Sequence, residues 1–167
     1  MRFTADYNRL AAVLYAHRWA YGRNPKFYDY EKLGGDCTNF ASQCIFAGSG
    51  IMNFTPTFGW YYIDANQKAP AWTGVEYLWN FLTRRQITLG PVGEPCDLQD
   101  LRPGDLIQLS FSGEGYQHTP IVVRSGTPAT PENILVAAHS FDADNRPLST
   151  YEYKAARFLH ITGTVRP

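Results

Sequence analysis

The sequence predicts an α+β fold in which helices come first along the chain and antiparallel strands follow. In the first half, apolar residues recur at helical spacing, for example at i, i+3, i+4 and i+7 from Val75. After the turn sequence RPGD at 102–105, short runs typical of strands replace that spacing. The chain has 167 residues and shows no internal repeat or linker, so a single domain over residues 1–167 is expected.

The first helix is expected to bury an apolar stripe and to end at Asn24-Pro25. That stripe consists of Phe3, Tyr7, Leu10, Leu14 and Tyr21. A second helix is expected over Cys37–Ala47, with Asp36 as its N-cap and Gly48 and Gly50 at its C-terminal end. The predicted strands are Leu106–Phe111, Thr119–Arg124, Ile134–Ser140 and Phe158–Val165. The segments 51–73 and 89–95 are expected to be loops.

The composition excludes several classes of protein. Hydrophobic residues make up 44% of the chain and charged residues 18%, which is typical of a globular protein. Fifteen basic and fifteen acidic residues give a formal net charge of zero, which argues against a nucleic-acid partner. No apolar run approaches the roughly 20 residues of a membrane span, and the apolar stretch Leu10–Ala16 has no signal-peptide flanks. Compartment and oligomeric state stay open.

The three cysteines cannot form a closed disulfide framework, and without a CxxC pair they do not indicate a zinc site. Cys37 stands out because the run GGDCTNF places it at the first turn of the second helix. The positive end of a helix lowers a cysteine pKa, so Cys37 is expected to be more thiolate-like than a thiol in mid-helix. Its backbone N–H could stabilise an oxyanion, and Asp36 and Asn39 are candidates to shape that region. Cys44 is expected in the core, and nothing activates Cys96.

A nucleophilic thiol needs a base, and His118 is the favoured candidate because it opens a strand directly after a loop. His139 lies 21 positions later, at the end of the next predicted strand. Neighbouring antiparallel strands could bring the two imidazoles together, so that His139 orients His118. Asp142 is a competing orienter. His17 and His160 are expected to be structural.

The residues then match a family pattern. The run GGDCTNFASQC resembles the nucleophile motif of the putative amidase domain family, a branch of the papain-like NlpC/P60 and CHAP superfamily. RPGDLIQL is similar to the turn and first core strand of that superfamily, and QHTPIVV to its base-histidine strand. AHSFDADNRPL is similar to the segment that carries the polar third member. The match spans about Phe3 to Leu148.

The resemblance implies a papain-like fold in which the nucleophile helix packs on an antiparallel sheet. It implies that Cys37 is the nucleophile, His118 the general base and acid, and His139 the polar orienter. The implied activity is hydrolysis of an amide or peptide bond through a thioacyl-enzyme, as in cell-wall peptides, with no cofactor. A secreted or cell-wall location is compatible with the resemblance. Pro120 departs from the pattern, because a proline in a strand removes a ladder hydrogen bond and indicates an edge or a bulge.

Three alternatives remain at this point. An acyltransferase would use the same Cys/His pair. A non-catalytic module could bind peptides or glycans through loop aromatics, namely Trp60, Tyr61, Tyr62 and Trp72. A metal site made of Cys37, His118 and His139 is disfavoured, because no HExxH or CxxC spacing supports it. Within the enzyme hypothesis, Trp72 is expected to form a wall of the cleft beside Cys37.

Overall fold

The computed structural model describes residues 1–167 and is an α+β structure built on an antiparallel sheet, which confirms the predicted class. The helices are α1 (Arg9–Trp19), α2 (Cys37–Ser49), α3 (Pro70–Thr73) and α4 (Val75–Leu82). The strands are β1 (Arg2–Thr4), β2 (Tyr62–Asp64), β3 (Gln67–Lys68), β4 (Gly90–Cys96), β5 (Leu106–Ser110), β6 (Ile121–Arg124), β7 (Leu135–Ala138), β8 (Ala143–Pro147) and β9 (Ala155–Arg166). None of the helices has the length and apolar character needed to cross a membrane.

Seven strands form one sheet in the order β1-β9-β5-β6-β7-β8, and β4 pairs with the other edge of β9. Every pairing in this sheet is antiparallel. Strands β2 and β3 form a separate hairpin. The ladder between β5 and β6 is interrupted, because Leu106 pairs with Ile121 and Leu109 with His118, while Pro120 between them has no N–H to donate. The proline therefore acts inside the sheet rather than at an edge.

The sheet separates two hydrophobic clusters. The larger cluster of 18 buried residues lies between the helices and one face of the sheet, and the smaller cluster of 9 lies on the opposite face. Successive side chains of a strand point to opposite faces of the sheet, so the same strands contribute to both clusters. Leu106 and Ile121 face the helices, while Ile107 and Val122 face the other side. Helix α2 lies deepest, with 11 buried residues among its 13.

The first helix differs from the prediction. Residues 2–4 form strand β1 instead, and the expected stripe is largely exposed, with Leu10 at 67% and Leu14 at 57%. Helix α1 buries its alanine face, Ala12 and Ala16, against α2. Small side chains let two helices approach closely, so a periodicity search weighted toward large apolar residues selects the wrong face.

Helix α2 begins at Cys37 and ends in the left-handed Gly50 (φ 71°), whose N–H donates to the Phe46 carbonyl at 2.8 Å. Gly48 lies inside the helix and not at its end. A glycine is needed there because a Cβ would lie 2.5 Å from the Tyr7 ring. Helix α4 is confirmed at Val75–Leu82.

Strands β1, β2, β3, β4 and β8 were not predicted, and β2, β3 and helix α3 lie in the segment 51–73 that was expected to be a loop. Strand β4 covers most of the segment 89–95. That segment was expected to be a loop because its two glycines and two prolines are typical of turns. It is nevertheless an edge strand on β9, where a missing N–H can face away from the ladder. Strand β8 has the sequence ADNRP, which lacks the β-branched and aromatic residues that favour strands.

Asp105 anchors the turn before β5 to the rest of the protein. Its fully buried carboxylate accepts hydrogen bonds from Arg9 (2.8 Å), His160 (2.8 Å) and the Ile161 N–H (2.9 Å). The Arg102 N–H completes the set at 2.9 Å. One carboxylate thus joins α1, β9 and the turn before β5, which confirms the structural role expected of His160.

We expect Asp105→Asn to lower the free energy of unfolding by about 3 kcal/mol, because the carboxamide presents its NH₂ to groups that are themselves donors. Urea denaturation measures the change. The exposed Glu132, which forms no ion pair, provides the control Glu132→Gln with an expected change below about 0.5 kcal/mol. An Asp105→Asn variant as stable as that control would show that the network is not stabilising.

Candidate active site

A cleft of about 720 Å³ lies where α2 begins, and Cys37 and His118 both line it. We refer to it as the α2 cleft. Its lining residues are Gly34, Gly35, Cys37, Phe111, Gln117, His118, Ser140, Phe141, Arg146, Thr150, Tyr151 and Glu152. The structure thus brings the predicted nucleophile and the predicted base to one cavity.

Cys37 is the first residue of α2 and only 8% exposed. Its Sγ lies 3.8 Å from the Gln117 carbonyl oxygen and 3.7 Å from Thr38 Oγ1. Burial raises the pKa of the Cys37 thiol above its ordinary value, and this outweighs the hydrogen bonds to Thr38 and Thr119 that favour the thiolate. Burial thus offsets the lowering expected from the helix N-terminus, while the pKa of the mid-helix Cys44 is raised well above the ordinary value by complete burial.

The diglycine before Cys37 has a backbone that only glycine adopts readily. Gly34 and Gly35 have φ values of 95° and 103°, and both line the α2 cleft. A Cβ on Gly35 would lie 3.2 Å from the Ser140 hydroxyl, so a larger residue would crowd the opposite wall. The two glycines keep the space in front of the sulfur open.

His118 is 5% exposed and packs between the Phe111 and Tyr151 rings, with centroid distances of 6.0 and 5.6 Å. Burial, followed by the positive charge of Arg146, lowers the pKa of His118 to about 4. Its ring forms no hydrogen bond within the protein, and none joins it to Cys37 Sγ. His118 is therefore a neutral imidazole without a protein partner.

The other three histidines are engaged elsewhere. His17 Nδ1 lies 2.8 Å from Asp144 Oδ1, which fits its expected structural role, and His160 donates to Asp105. His139 Nδ1 donates to Asp36 Oδ2 at 2.5 Å and its Nε2 donates to the Trp19 carbonyl at 2.8 Å. Of the four imidazoles, only His118 has no hydrogen bond at either ring nitrogen, and it is the one that lines the α2 cleft with Cys37.

His139 does not orient His118, contrary to the sequence hypothesis. Both of its ring nitrogens are used by other groups, and its ring stacks on Phe40 at 3.9 Å. The register explains the error: Ile121 pairs with Ala137, so continuing the ladder sets position 119, not 118, opposite 139. Because side chains alternate between faces, His118 and His139 fall on opposite faces of the sheet.

The three residues expected to contact the substrate are buried instead. Trp72 Nε1 donates to Asn39 Oδ1 (2.9 Å), and Asn39 Nδ2 donates to Asp36 Oδ1 (2.9 Å). Trp72 is 0% exposed, and Asp36 and Asn39 are each 1% exposed. Trp72 is a core residue that stacks on Phe27, so its predicted place in the cleft wall is wrong.

Asp36 occupies the N-cap position of α2, but its side chain makes no capping hydrogen bond. Its carboxylate accepts instead from His139, Asn39 and the Tyr30 N–H (2.8 Å), and Arg23 Nε lies 3.7 Å away. The competing orienter Asp142 is likewise occupied, since Arg23 donates two hydrogen bonds to it at 2.9 and 3.1 Å. Neither proposed third member contacts His118.

Sequence reasoning missed Arg146 and Tyr151 in the α2 cleft. Arg146 lies in β8, a strand with no β-type composition, and Tyr151 follows the short 3₁₀ turn after it. Their approach to Cys37 is a long-range contact that no local motif marks. The resemblance covered the segment up to Leu148 and gave neither residue a role.

A second groove, of about 830 Å³, also contains a cysteine and a histidine, Cys96 and His160. Burial and the surrounding carboxylates, Asp105 foremost, raise the pKa of Cys96 to about 12. The His160 imidazole is held by Asp105. The groove therefore lacks an acidic thiol, and its imidazole is bonded to Asp105 through Nδ1.

We expect His139→Phe to lower the free energy of unfolding by about 3–5 kcal/mol, because it leaves the buried Asp36 carboxylate without its partner. The double variant Asp36→Asn/His139→Phe should lose less than the sum of the two single changes, since the buried charge is gone. Chemical denaturation of the four proteins measures this coupling.

The partly exposed His17–Asp144 pair supplies the control, and His17→Phe should change stability by no more than about 1 kcal/mol. Additive effects of Asp36→Asn and His139→Phe would contradict a buried ion pair.

Comparisons with known proteins identify the family of this chain. The model of a family described as "Putative amidase domain" matches residues 6–162. An uncharacterized protein of Bacillus subtilis (strain 168), YhbB, is 33% identical over 165 residues, which cover 93% of this chain and 50% of that protein. The chain thus spans about half the length of this curated relative. No solved structure matches. The match over nearly the whole chain shows that the protein belongs to the family of putative amidase domains.

Proposed function

We propose that this protein is a cysteine amidohydrolase in which Cys37 is the nucleophile and His118 the general base. One observation carries the proposal: the only imidazole without a hydrogen-bond partner lines the same cleft as a cysteine at a helix N-terminus. The family supplies the coarser activity, because an amidase hydrolyses an amide bond.

In the proposed reaction, His118 takes the thiol proton as Cys37 Sγ attacks the carbonyl carbon of the substrate. The Cys37 N–H, one of the unpaired donors at the start of α2, stabilises the tetrahedral oxyanion. The C–N bond then breaks as His118 returns the proton to the leaving amine, which leaves a thioester. Water, deprotonated by His118, attacks the thioester and releases the acid and the thiol.

The resting pair is a neutral thiol and a neutral imidazole, since burial raises the pKa of Cys37 and lowers that of His118. Proton transfer is therefore coupled to the attack, and a thiolate–imidazolium pair does not form beforehand. No hydrogen bond joins Sγ to His118 in the structure, so the two groups must also come within hydrogen-bond distance before the proton moves. Both requirements are met when a bound substrate fills the α2 cleft and displaces water.

The resemblance adds three further points to this proposal. The chain would form one papain-like domain, belong to the NlpC/P60 and CHAP superfamily, and act on cell-wall peptides. The antiparallel sheet behind a helix that begins with the nucleophile supports the first. Cys37, His118 and His139 are not brought together, so the alternative metal site lacks its geometry.

The alternative of a non-catalytic module that binds peptides or glycans is weakened, because the two tryptophans expected at its surface are buried. Trp60 and Trp72 are 0% exposed, and Ser42 accepts the Trp60 Nε1–H at 3.0 Å inside the core. An acyltransferase remains the second candidate, because an amine could replace water at the thioester step with the same residues.

We expect a thioacyl adduct on Cys37 when the protein is quenched in acid during turnover of peptidoglycan fragments or simple amide substrates. Intact-mass and peptide mass spectrometry locate the adduct, and hydroxylamine should remove it because thioesters are cleaved by that nucleophile. Cys37→Ala should abolish turnover. Cys96→Ala is the matched control and should keep the native rate, because Cys96 lies in the other groove.

Turnover by Cys37→Ala, or an adduct confined to Cys96, would refute the assignment of the nucleophile. An adduct transferred to an added amine faster than to water would identify the acyltransferase.

We expect NMR titration to show that His118 stays neutral down to a pKa of about 4, well below an ordinary histidine. Protonated His118 cannot accept the thiol proton, so kcat/KM should fall only as the pH drops through that value. His118→Ala should lower kcat/KM by about 10²–10⁴-fold. His118→Gln serves to assign the resonance. A pKa near or above 6.5 would instead indicate a preformed ion pair.

A further inference from the structure

The α2 cleft contains a cation that no carboxylate of the protein neutralises. Arg146 Nε donates to Thr150 Oγ1 at 2.8 Å, and one Nη donates to the Thr150 carbonyl at 3.0 Å. Both acceptors are neutral, and Arg146 forms no ion pair. By contrast, Arg9 pairs with Asp105, and Arg157 pairs with Glu76. The other Nη of Arg146 has no protein partner.

A second uncommitted donor lies against this cation. The Arg146 guanidinium stacks over the Tyr151 ring at 3.6 Å from its centroid. The Tyr151 side chain is 9% exposed, and its hydroxyl is buried without any hydrogen-bond partner. A buried donor left unpaired destabilises a protein, so such a group is informative when it lines a cleft. Burial also raises the pKa of Tyr151, which keeps the phenol protonated as a donor.

The two donors are close to the proposed chemistry and are held firmly. The Tyr151 ring centroid lies 5.6 Å from that of His118, and both residues share the cleft with Cys37. The fully buried Leu148 anchors the 3₁₀ turn between Arg146 and Tyr151. Thr150 Oγ1 fixes that turn further by donating to the Pro147 carbonyl at 2.7 Å. The fold therefore positions both side chains before any ligand binds, and a small side-chain movement is needed to open the buried Tyr151 hydroxyl to the cleft.

We propose that Arg146 and Tyr151 form a carboxylate-binding subsite, so that the substrate is an amide that carries a carboxylate near its scissile bond. This inference rests on the proposed function. A full negative charge matches the unpaired guanidinium, and its second oxygen can accept the Tyr151 O–H. The one acid that lines the cleft, Glu152, is exposed and forms no ion pair with Arg146. It leaves the cation available.

The test measures binding separately from turnover, in a Cys37→Ala background. Calorimetry compares N-acetylalanine with N-acetylalaninamide, which have nearly the same shape but differ in the one carboxylate, at constant ionic strength. We expect the acid to bind at least tenfold more tightly, and Arg146→Gln to remove that difference. Arg85→Gln, at an exposed arginine outside the cleft that forms no ion pair, should leave the difference intact. Equal affinities, or no binding of the acid, would overturn the subsite.

Tyr151→Phe gives an independent readout. It should weaken acid binding severalfold while leaving Tm unchanged or higher, because it removes an unpaired buried hydroxyl. A purely structural hydroxyl would lower Tm and leave binding alone, which would remove Tyr151 from the subsite. Tyr153→Phe, outside the cleft, is the control. Acid binding without any thioacyl adduct in the native protein would refute the nucleophile and leave this subsite standing.

Discussion

The buried carboxylate of Asp36 is the constraint on which the site depends. It lies one residue before the proposed nucleophile, and three donors hold it: His139, Asn39 and the Tyr30 N–H. Through these contacts, the start of α2 is tied to the end of β7 and to the loop that precedes the helix. A charge that is 1% exposed is tolerated only when it is fully paired, so the position of Cys37 is fixed by the same contacts that neutralise Asp36.

The two neighbouring histidines, His118 and His139, have different environments. One histidine, His139, faces the helices and has both nitrogens bonded, while His118 faces the cleft and has neither bonded. The alternation of side chains along neighbouring strands produces this division. A fully hydrogen-bonded imidazole and an unbonded one therefore lie on opposite faces of the sheet.

The electrostatics of the α2 cleft favour the neutral forms of Cys37 and His118. Burial opposes charge on both Cys37 and His118, and the positive Arg146 adds to the effect on the imidazole. An anion bound at Arg146 would offset that field and make protonation of His118 easier at the moment when the thiol gives up its proton. Substrate binding and activation of the base would then be linked through one guanidinium.

The α+β class, helices α2 and α4, and the identity of Cys37 and His118 as candidates were predictable from local patterns, because caps, periodicity and the GGDC run act within a few residues. The tertiary structure decided which histidine stays free, since the Asp36–His139 pair joins positions 103 residues apart and depends on strand register. It also decided the environment of Cys37: the helix N-terminus is a local signal that lowers a thiol pKa, but the depth of burial depends on the whole fold, and burial raises the pKa of Cys37.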